Sequence, residues 1–233
     1  MENIRIEKLT TINSEAVFEY MRTQFAPDEP LFRTTQLWVG DSFFDKLLLG
    51  EVRKKFVTKP IESGDSFGAF DSSGNLLGVR LGFISDRSSL SWEPSLTWML
   101  NLPEFFMSDK WLKTLHVAKF IEEVEYKEDY GFDHCLDNNG KIYFGLAVGV
   151  TRDGRGKGLG GRLLKKSIDH AKDQGCSHMY LLATGKYSQK IMKNHGFCII
   201  KEKDYDSYKD HQGRCVIKDD VHKSAQVVAL KIE

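Results

Sequence analysis

Ile4 and Ile6 alternate with Arg5 and Glu7, and this period of two over residues 4–9 predicts a half-buried strand. Val17, Met21 and Phe25 then recur every fourth residue, the spacing of a helix face, with Asn13 or Ser14 placed to cap it. Pro27-Asp28-Glu29-Pro30 ends that helix, because proline disfavours the α region in the residue before it. A second helical stretch runs through Leu47 and Val52. Strand formers over 65–70 and 76–84 flank Asp71-Ser72-Ser73-Gly74-Asn75, which reads as a hairpin turn. Residues 105–126 return to helical spacing through Trp111, Leu115, Ala118 and Ile121.

Residues 141–150 are almost wholly apolar, as expected of a strand covered on both faces. An amphipathic helix follows over 159–173 and closes at Gly175, a suitable residue just past a helix end. Residues 179–183 read as a buried strand, 187–194 as a short helix ended by Gly196, and 198–203 and 225–232 as strands. The order is β, helices, a β-hairpin, helix, then β-α-β-α-β-β, which makes the chain mixed α/β. With no repeat, low-complexity tract or linker, residues 1–233 are expected to form one domain.

Composition narrows this picture. The chain is 41% hydrophobic and 28% charged, as in folded globular proteins, and its formal net charge is +0. That balance argues against a nucleic-acid partner, and no apolar run is long enough to span a bilayer. The N-terminal segment carries charges every few residues and has no signal-peptide core, so a cytoplasmic location is expected. The four cysteines lack metal or disulfide spacing and read as free thiols, with Cys176 and Cys198 taken as small core hydrophobes beside strands. No His/Cys cluster has zinc spacing, so no metal is expected.

The segment with the most chemical content joins strand 141–150 to helix 159–173. It reads Val148-Gly-Val-Thr-Arg-Asp-Gly-Arg155-Gly156-Lys157-Gly158-Leu159-Gly160-Gly161. Glycines allow backbone N–H groups to approach a ligand, and with the positive end of the following helix they form a phosphate-type anion site. Arg152, Arg155 and Lys157 add mobile positive charge at its mouth. A Walker A loop is excluded because Lys157 is followed by Gly158 rather than a hydroxyl residue. Gly156, Gly158 and Gly161 satisfy the dinucleotide pattern, yet the next strand ends in Thr184-Gly185 with no carboxylate for a ribose.

Arg155-Gly-Lys-Gly158-Leu-Gly160 fits [RQ]-x-x-G-x-[GA], and with Tyr187-Ser188-x-x-Ile191-Met192-x-x-x-Gly196-Phe197 it resembles the GNAT acetyltransferase superfamily over about residues 142–200. The resemblance implies the GNAT fold, a central mixed, mostly antiparallel sheet flanked by helices with acetyl-CoA at splayed central strands. It also implies that Arg155, Gly156, Lys157, Gly158, Leu159 and Gly160 hold the pyrophosphate, while Val148, Gly149 and Val150 pair with the pantetheine amides. Acetyl-CoA is then a co-substrate.

Within the superfamily the chain is similar to invertebrate arylalkylamine N-acetyltransferases of the dopamine-acetylating type. Phe25-Ala-Pro-Asp28-Glu29-Pro30-Leu31 matches that family's first motif, and Thr184-Gly-Lys-Tyr187-Ser188 its second. The resemblance puts Glu29 in the place of the general base and Thr184 and Ser188 near the thioester, with Ser188 or Tyr187 serving the departing thiolate. Three positions depart from the pattern. Met192 stands where many relatives have a tyrosine acid, Phe32-Arg33 follows Leu31 where asparagine is usual, and Thr184 replaces a serine. The chemistry suits these groups, since an ammonium must lose a proton before its nitrogen attacks, and a carboxylate can take it.

The expected activity is N-acetylation of a small primary amine such as dopamine, serotonin or tryptamine, by a monomer or weak dimer. Polyamines, amino acids or a protein N-terminus are the alternatives within the reaction class, and a non-catalytic coenzyme A-binding protein is the alternative outside it. Trp92, Trp98, Phe105, Phe106 and Trp111 crowd one segment and read as core first, with an aryl-binding pocket as the second reading.

Overall fold

The computed structural model describes residues 4–40, 43–86, 109–125 and 140–233. Seven strands form one sheet in the order β1-β2-β3-β4-β5-β7-β6: β1 Arg5–Lys8, β2 Phe67–Phe70, β3 Leu76–Asp86, β4 Lys141–Val150, β5 Cys176–Ala183, β6 Cys198–Asp204 and β7 Ser224–Lys231. Every neighbouring pair is antiparallel except β4 with β5. The helices are α1 Ser14–Tyr20, α2 Pro30–Thr35, α3 Phe43–Arg53, α4 Lys59–Glu62, α5 Asp109–Glu125, α6 Leu159–Asp173 and α7 Lys186–Asn194. The mixed, mostly antiparallel α/β architecture expected from the sequence is therefore present.

The local signals act as read. Asp71 Oδ1 accepts from the Ser73 and Asn75 amides and closes the hairpin turn. Gly175 and Gly196 both adopt positive φ, +71° and +84°, at the ends of α6 and α7. Asn13 does stand at the α1 N-cap, but its side chain accepts from the Thr10 amide rather than from the helix. The apolar period through Met21 and Phe25 continues beyond α1 as a π-helical turn, Met21–Phe25. The segment 105–108, with Phe105 and Phe106, and Trp92 and Trp98 lie outside the described residues.

Three sequence expectations need correction. Cys176 is buried and its thiol is pushed up to about 11 by burial, but Cys198 is exposed. The reason is topological: β6 is an edge strand, so its apolar period meets the sheet on one side only. Strand β4 is not covered along its whole length either. Ile142, Tyr143 and Phe144 are buried, whereas Leu146 and residues 148–150 are half-buried. The positive charge of the glycine loop, the third correction, is treated with the site.

That change in cover along β4 marks the opening of the sheet. The parallel β4–β5 pairing ends at Gly145 with Leu181. Beyond it β4 stays bonded to β3 as far as Val150, and β5 to β7 as far as Ala183. A wedge opens between the two C-terminal strand ends, helped by an irregularity in the β3–β4 register between Leu81 and Gly82. Alternate backbone groups of 146–150 face this wedge with no strand partner on that side.

Candidate functional site

The loop beyond β4 has a geometry that can receive an anion. The Thr151 amide donates to the Leu77 carbonyl at 2.8 Å, and Thr151 Oγ1 accepts from the Gly154 amide at 3.2 Å, which folds Arg152–Gly154 into a tight turn. Gly156 and Gly158 follow with φ of +76° and +71°, a region that glycine enters without steric cost. Gly158 is the N-cap of α6 and has no side chain to cap it, so the first amides of a fifteen-residue helix are left to a ligand. Gly158, Gly161, Arg162, Lys165, Lys166 and His195 line a hollow beside this helix start.

The loop arginines are not free charges at the mouth, as the sequence suggested. Arg155 is ion-paired with Asp28, and Arg152 approaches the same carboxylate at 4.0 Å. Asp28 thereby ties the anion loop to the start of α2. Tyr20 belongs to this junction and was not singled out from the sequence. A Cβ placed on Gly149 would stand 2.6 Å from the Tyr20 hydroxyl and 2.8 Å from Phe25 Cδ2. Burial raises the Tyr20 hydroxyl pKa, an effect opposed by Arg155.

Glu29 is the N-cap of α2. Its backbone is extended (φ −90°, ψ 124°), Pro30 occupies the first helical position, and Oε2 accepts from the Phe32 amide at 2.6 Å. The Glu-Pro pair thus starts a helix as well as ending the previous one. Although the residue is partly exposed, Oε1 is inaccessible and has no well-formed hydrogen-bond partner. Burial raises the carboxyl pKa. The nearby Thr184 hydroxyl, the Phe32 and Leu31 amides and the Arg33 charge oppose that shift only in part.

Thr184 follows β5 directly and brings the second arm of the wedge to Glu29. Its carbonyl accepts from the Tyr205 hydroxyl at 2.6 Å, and the proximity of Glu29 adds to the burial that raises the Tyr205 pKa. Arg33, one turn beyond Glu29 on α2, is ion-paired with Asp219, whose side chain is fully buried. Asp219 Oδ1 accepts from the Val221 and His222 amides at 2.8 and 2.9 Å.

Ser188 and Tyr187 form a second group, on the first turn of α7. Ser188 Oγ donates to the Gly185 carbonyl at 2.8 Å and receives the Gly185 amide at 3.3 Å, which is a capping arrangement. Tyr187 is 66% exposed and stands edge-on to His222, with ring centroids 6.1 Å apart. His222 Nδ1 lies 3.0 Å from the Lys186 amide nitrogen, which donates to it. Gln189 pins α7 to the sheet through the Ala183 and Ser224 carbonyls.

Among the described residues, aromatic rings cluster around Phe32, three residues after Glu29. Phe32 contacts Phe25, Trp38 and Phe56 with ring centroids 6.1, 5.5 and 5.1 Å apart, all edge-on. Among the described residues, no group of three or more His, Cys, Asp or Glu side chains could hold a metal, and no helix is long and apolar enough to cross a membrane.

These features coincide with known proteins. Residues 112–197 match the acetyltransferase (GNAT) family. The fold superposes on arylalkylamine N-acetyltransferase 2 from Aedes aegypti with a TM-score of 0.80 and 25% identity, covering 99% of this chain and 100% of that one. A Drosophila melanogaster polyamine N-acetyltransferase that forms N-acetylagmatine matches with a TM-score of 0.68 and 19% identity, covering 98% and 100%. The acetyl-CoA complex of Arabidopsis thaliana NAA60 matches at 0.52 and 12%, covering 99% and 100%. The GNAT match thus covers residues 112–197, and the fold around them is shared with these acetyltransferases.

Proposed function

We propose that the protein transfers the acetyl group of acetyl-CoA to a small primary amine, with an arylalkylamine as the preferred class and Glu29 as general base. The observation that carries this reading is the Glu29 carboxylate: buried, raised in pKa, with Oε1 unpartnered where the C-terminal end of β5 meets α2. An acceptor of this kind can take the proton from an ammonium, and the deprotonated nitrogen then attacks the thioester carbonyl. The Thr151 amide bonds the Leu77 carbonyl, so by the alternation of the β3–β4 ladder the Val150 amide faces the wedge; that amide would stabilise the oxyanion, and collapse of the tetrahedral intermediate releases the coenzyme A thiolate. Tyr187 leads Ser188 as the group serving that thiolate, because the Ser188 hydroxyl already bonds Gly185. The aromatic wall of Phe25, Phe32 and Phe56 favours an aryl substrate, and the likeness to the Aedes aegypti enzyme supports that preference.

Thiol release from acetyl-CoA with dopamine, tryptamine, serotonin, spermidine and a short peptide tests the reading. Saturable turnover with the aromatic amines is expected. Turnover confined to spermidine or peptide overturns the substrate class, and tight acetyl-CoA binding without turnover of any amine overturns the enzymatic reading in favour of a coenzyme A-binding protein.

The loop assignment has its own prediction. Gly156 and Gly158 have open space around their Cα atoms, so alanine there meets only the left-handed backbone penalty, about 1–2 kcal/mol per residue. The double change Gly156→Ala/Gly158→Ala should raise the KM for acetyl-CoA at least tenfold and leave the amine KM within about twofold, measured by initial rates. An unchanged acetyl-CoA KM would remove the loop from the cofactor site.

A further inference from the structure

We infer that Arg33 is a specificity-determining residue: by occupying Asp219 it restricts the amine site to substrates with a single positive charge. This rests on the reading of Glu29 as the base. Glu29 and Arg33 are four residues apart on α2, so they lie on one face about 6 Å apart along the helix axis. The Arg33 guanidinium bonds the Asp219 carboxylate, while the arginine remains 46% exposed and the aspartate side chain is fully buried. A resident cation close enough to act on the Glu29 carboxyl thus stands one turn from the base, with its anion buried.

Asp219 is held ionised in that position. Burial opposes its charge, yet the Val221 and His222 amides, the His222 ring and Arg33 outweigh burial and lower its pKa. Lys223 contacts only the Asp219 backbone carbonyl, at 3.2 Å, and does not substitute for Arg33 at the carboxylate. On this reading a monoamine gives up its proton to Glu29 beside the apolar rings of Phe25 and Phe32 and needs no second anion. The distal cation of a diamine or a guanidinoalkylamine would be directed at Arg33, a like charge, with Asp219 already taken.

This pairing is not legible locally, because Arg33 and Asp219 are 186 residues apart. Its consequence is a latent site. Removing the Arg33 side chain leaves a buried, ionised carboxylate without its cation, and the guanidinium of agmatine is the same chemical group as the one removed.

The first test uses the unaltered protein and two amines of equal length, hexylamine and cadaverine, in which a terminal methyl is exchanged for an ammonium. The inference expects kcat/KM for hexylamine to exceed that for cadaverine by at least tenfold. The second test measures kcat/KM for agmatine relative to tryptamine in wild type, Arg33→Ala, Arg33→Lys and Arg33→Ala/Asp219→Asn. The ratio cancels any effect of Arg33 on Glu29, which both substrates would use. It should rise at least tenfold in Arg33→Ala, stay near wild type in Arg33→Lys, and fall back in the double variant. Tryptamine turnover with equal rates for the hexylamine pair, or with an unchanged agmatine ratio in Arg33→Ala, overturns this inference and leaves the proposed function standing. Failure of wild type to acetylate any of these amines overturns both. If Arg33→Ala does not fold, the hexylamine pair decides the matter alone.

Discussion

Glu29→Gln is expected to lower kcat/KM for the preferred amine by a factor of 10² to 10⁴, the range general-base catalysis contributes. Gln retains the carbonyl oxygen that accepts the Phe32 amide, so the α2 cap survives and the loss reports on chemistry rather than on folding. The pH dependence gives an independent readout. Burial raises the Glu29 pKa, so the acid limb of kcat/KM in wild type should fall above the ordinary glutamate value of about 4.3. Glu29→Gln should abolish that limb. A variant with wild-type kcat/KM and the same limb would show that another group accepts the proton.

The same carboxylate has a stability signature of opposite sign. A carboxyl whose folded pKa lies above its unfolded value adds stability that is fully present below the unfolded pKa and is lost as pH rises through the folded one. Ionised Glu29 therefore destabilises the fold near neutrality, where the proposed reaction would use it. The Tm of Glu29→Gln should exceed that of wild type at about pH 7–8, and the difference should close as pH falls toward about 4.3. Asp210, held near about 2 chiefly by the Arg214 amide, and Asp219, also lowered, act in the reverse sense at more acidic pH and are common to both proteins. A Tm lower than wild type near neutrality would mean that the carboxylate stabilises α2 more than burial penalises it.

The sequence makes one half of this site legible. The glycine loop, the strand before it and the helix after it are local: spacing and backbone freedom suffice to read them, and Gly156 and Gly158 take the positive φ that such a loop needs. Glu29 was visible through the motif around it, but its burial was not, since a glutamate between prolines ordinarily faces solvent. Tyr205, Asp219, His222 and Tyr20 were not legible at all. Each meets the site through tertiary contact with α1, α2, the β5 end or the loop, and none stands in a local pattern that marks chemistry. The strand order was equally hidden. Strand β7 inserts between β5 and β6, and only that insertion makes β6 an edge and exposes Cys198.

Gly145→Ala is the second large effect expected, and its origin is a buried cation. Arg80 is 1% exposed and lies on β3 against α6, and among the described residues no carboxylate pairs with its guanidinium. Nε contacts Ser167 Oγ at 3.3 Å, Nη1 reaches the Leu81 and Ala147 carbonyls at 3.3 Å each, and Nη2 has no partner. Burial accordingly lowers its pKa, and the Tyr143 ring lies 5.3 Å from the guanidinium carbon. Gly145 leaves room for this group: a Cβ there would collide with Nη2 and stand 2.6 Å from Nη1 and 2.8 Å from Cζ. Because Arg80 is enclosed, it cannot swing away, and overpacking of this kind costs about 3 kcal/mol, or roughly 6–12 °C in Tm for a chain of this size. Arg80→Met exchanges the cation for an apolar chain and should be close to neutral, since a buried charge without a carboxylate adds little net stability. In that background Gly145→Ala should cost about 1 kcal/mol or less, a coupling of about 2 kcal/mol in a double-mutant cycle read by denaturant unfolding. Gly145 is also the last residue of β4 paired to β5, so the single variant should reduce turnover as well, by disturbing the point where the wedge opens. Additive costs in the cycle would place the strain of Gly145→Ala somewhere other than Arg80.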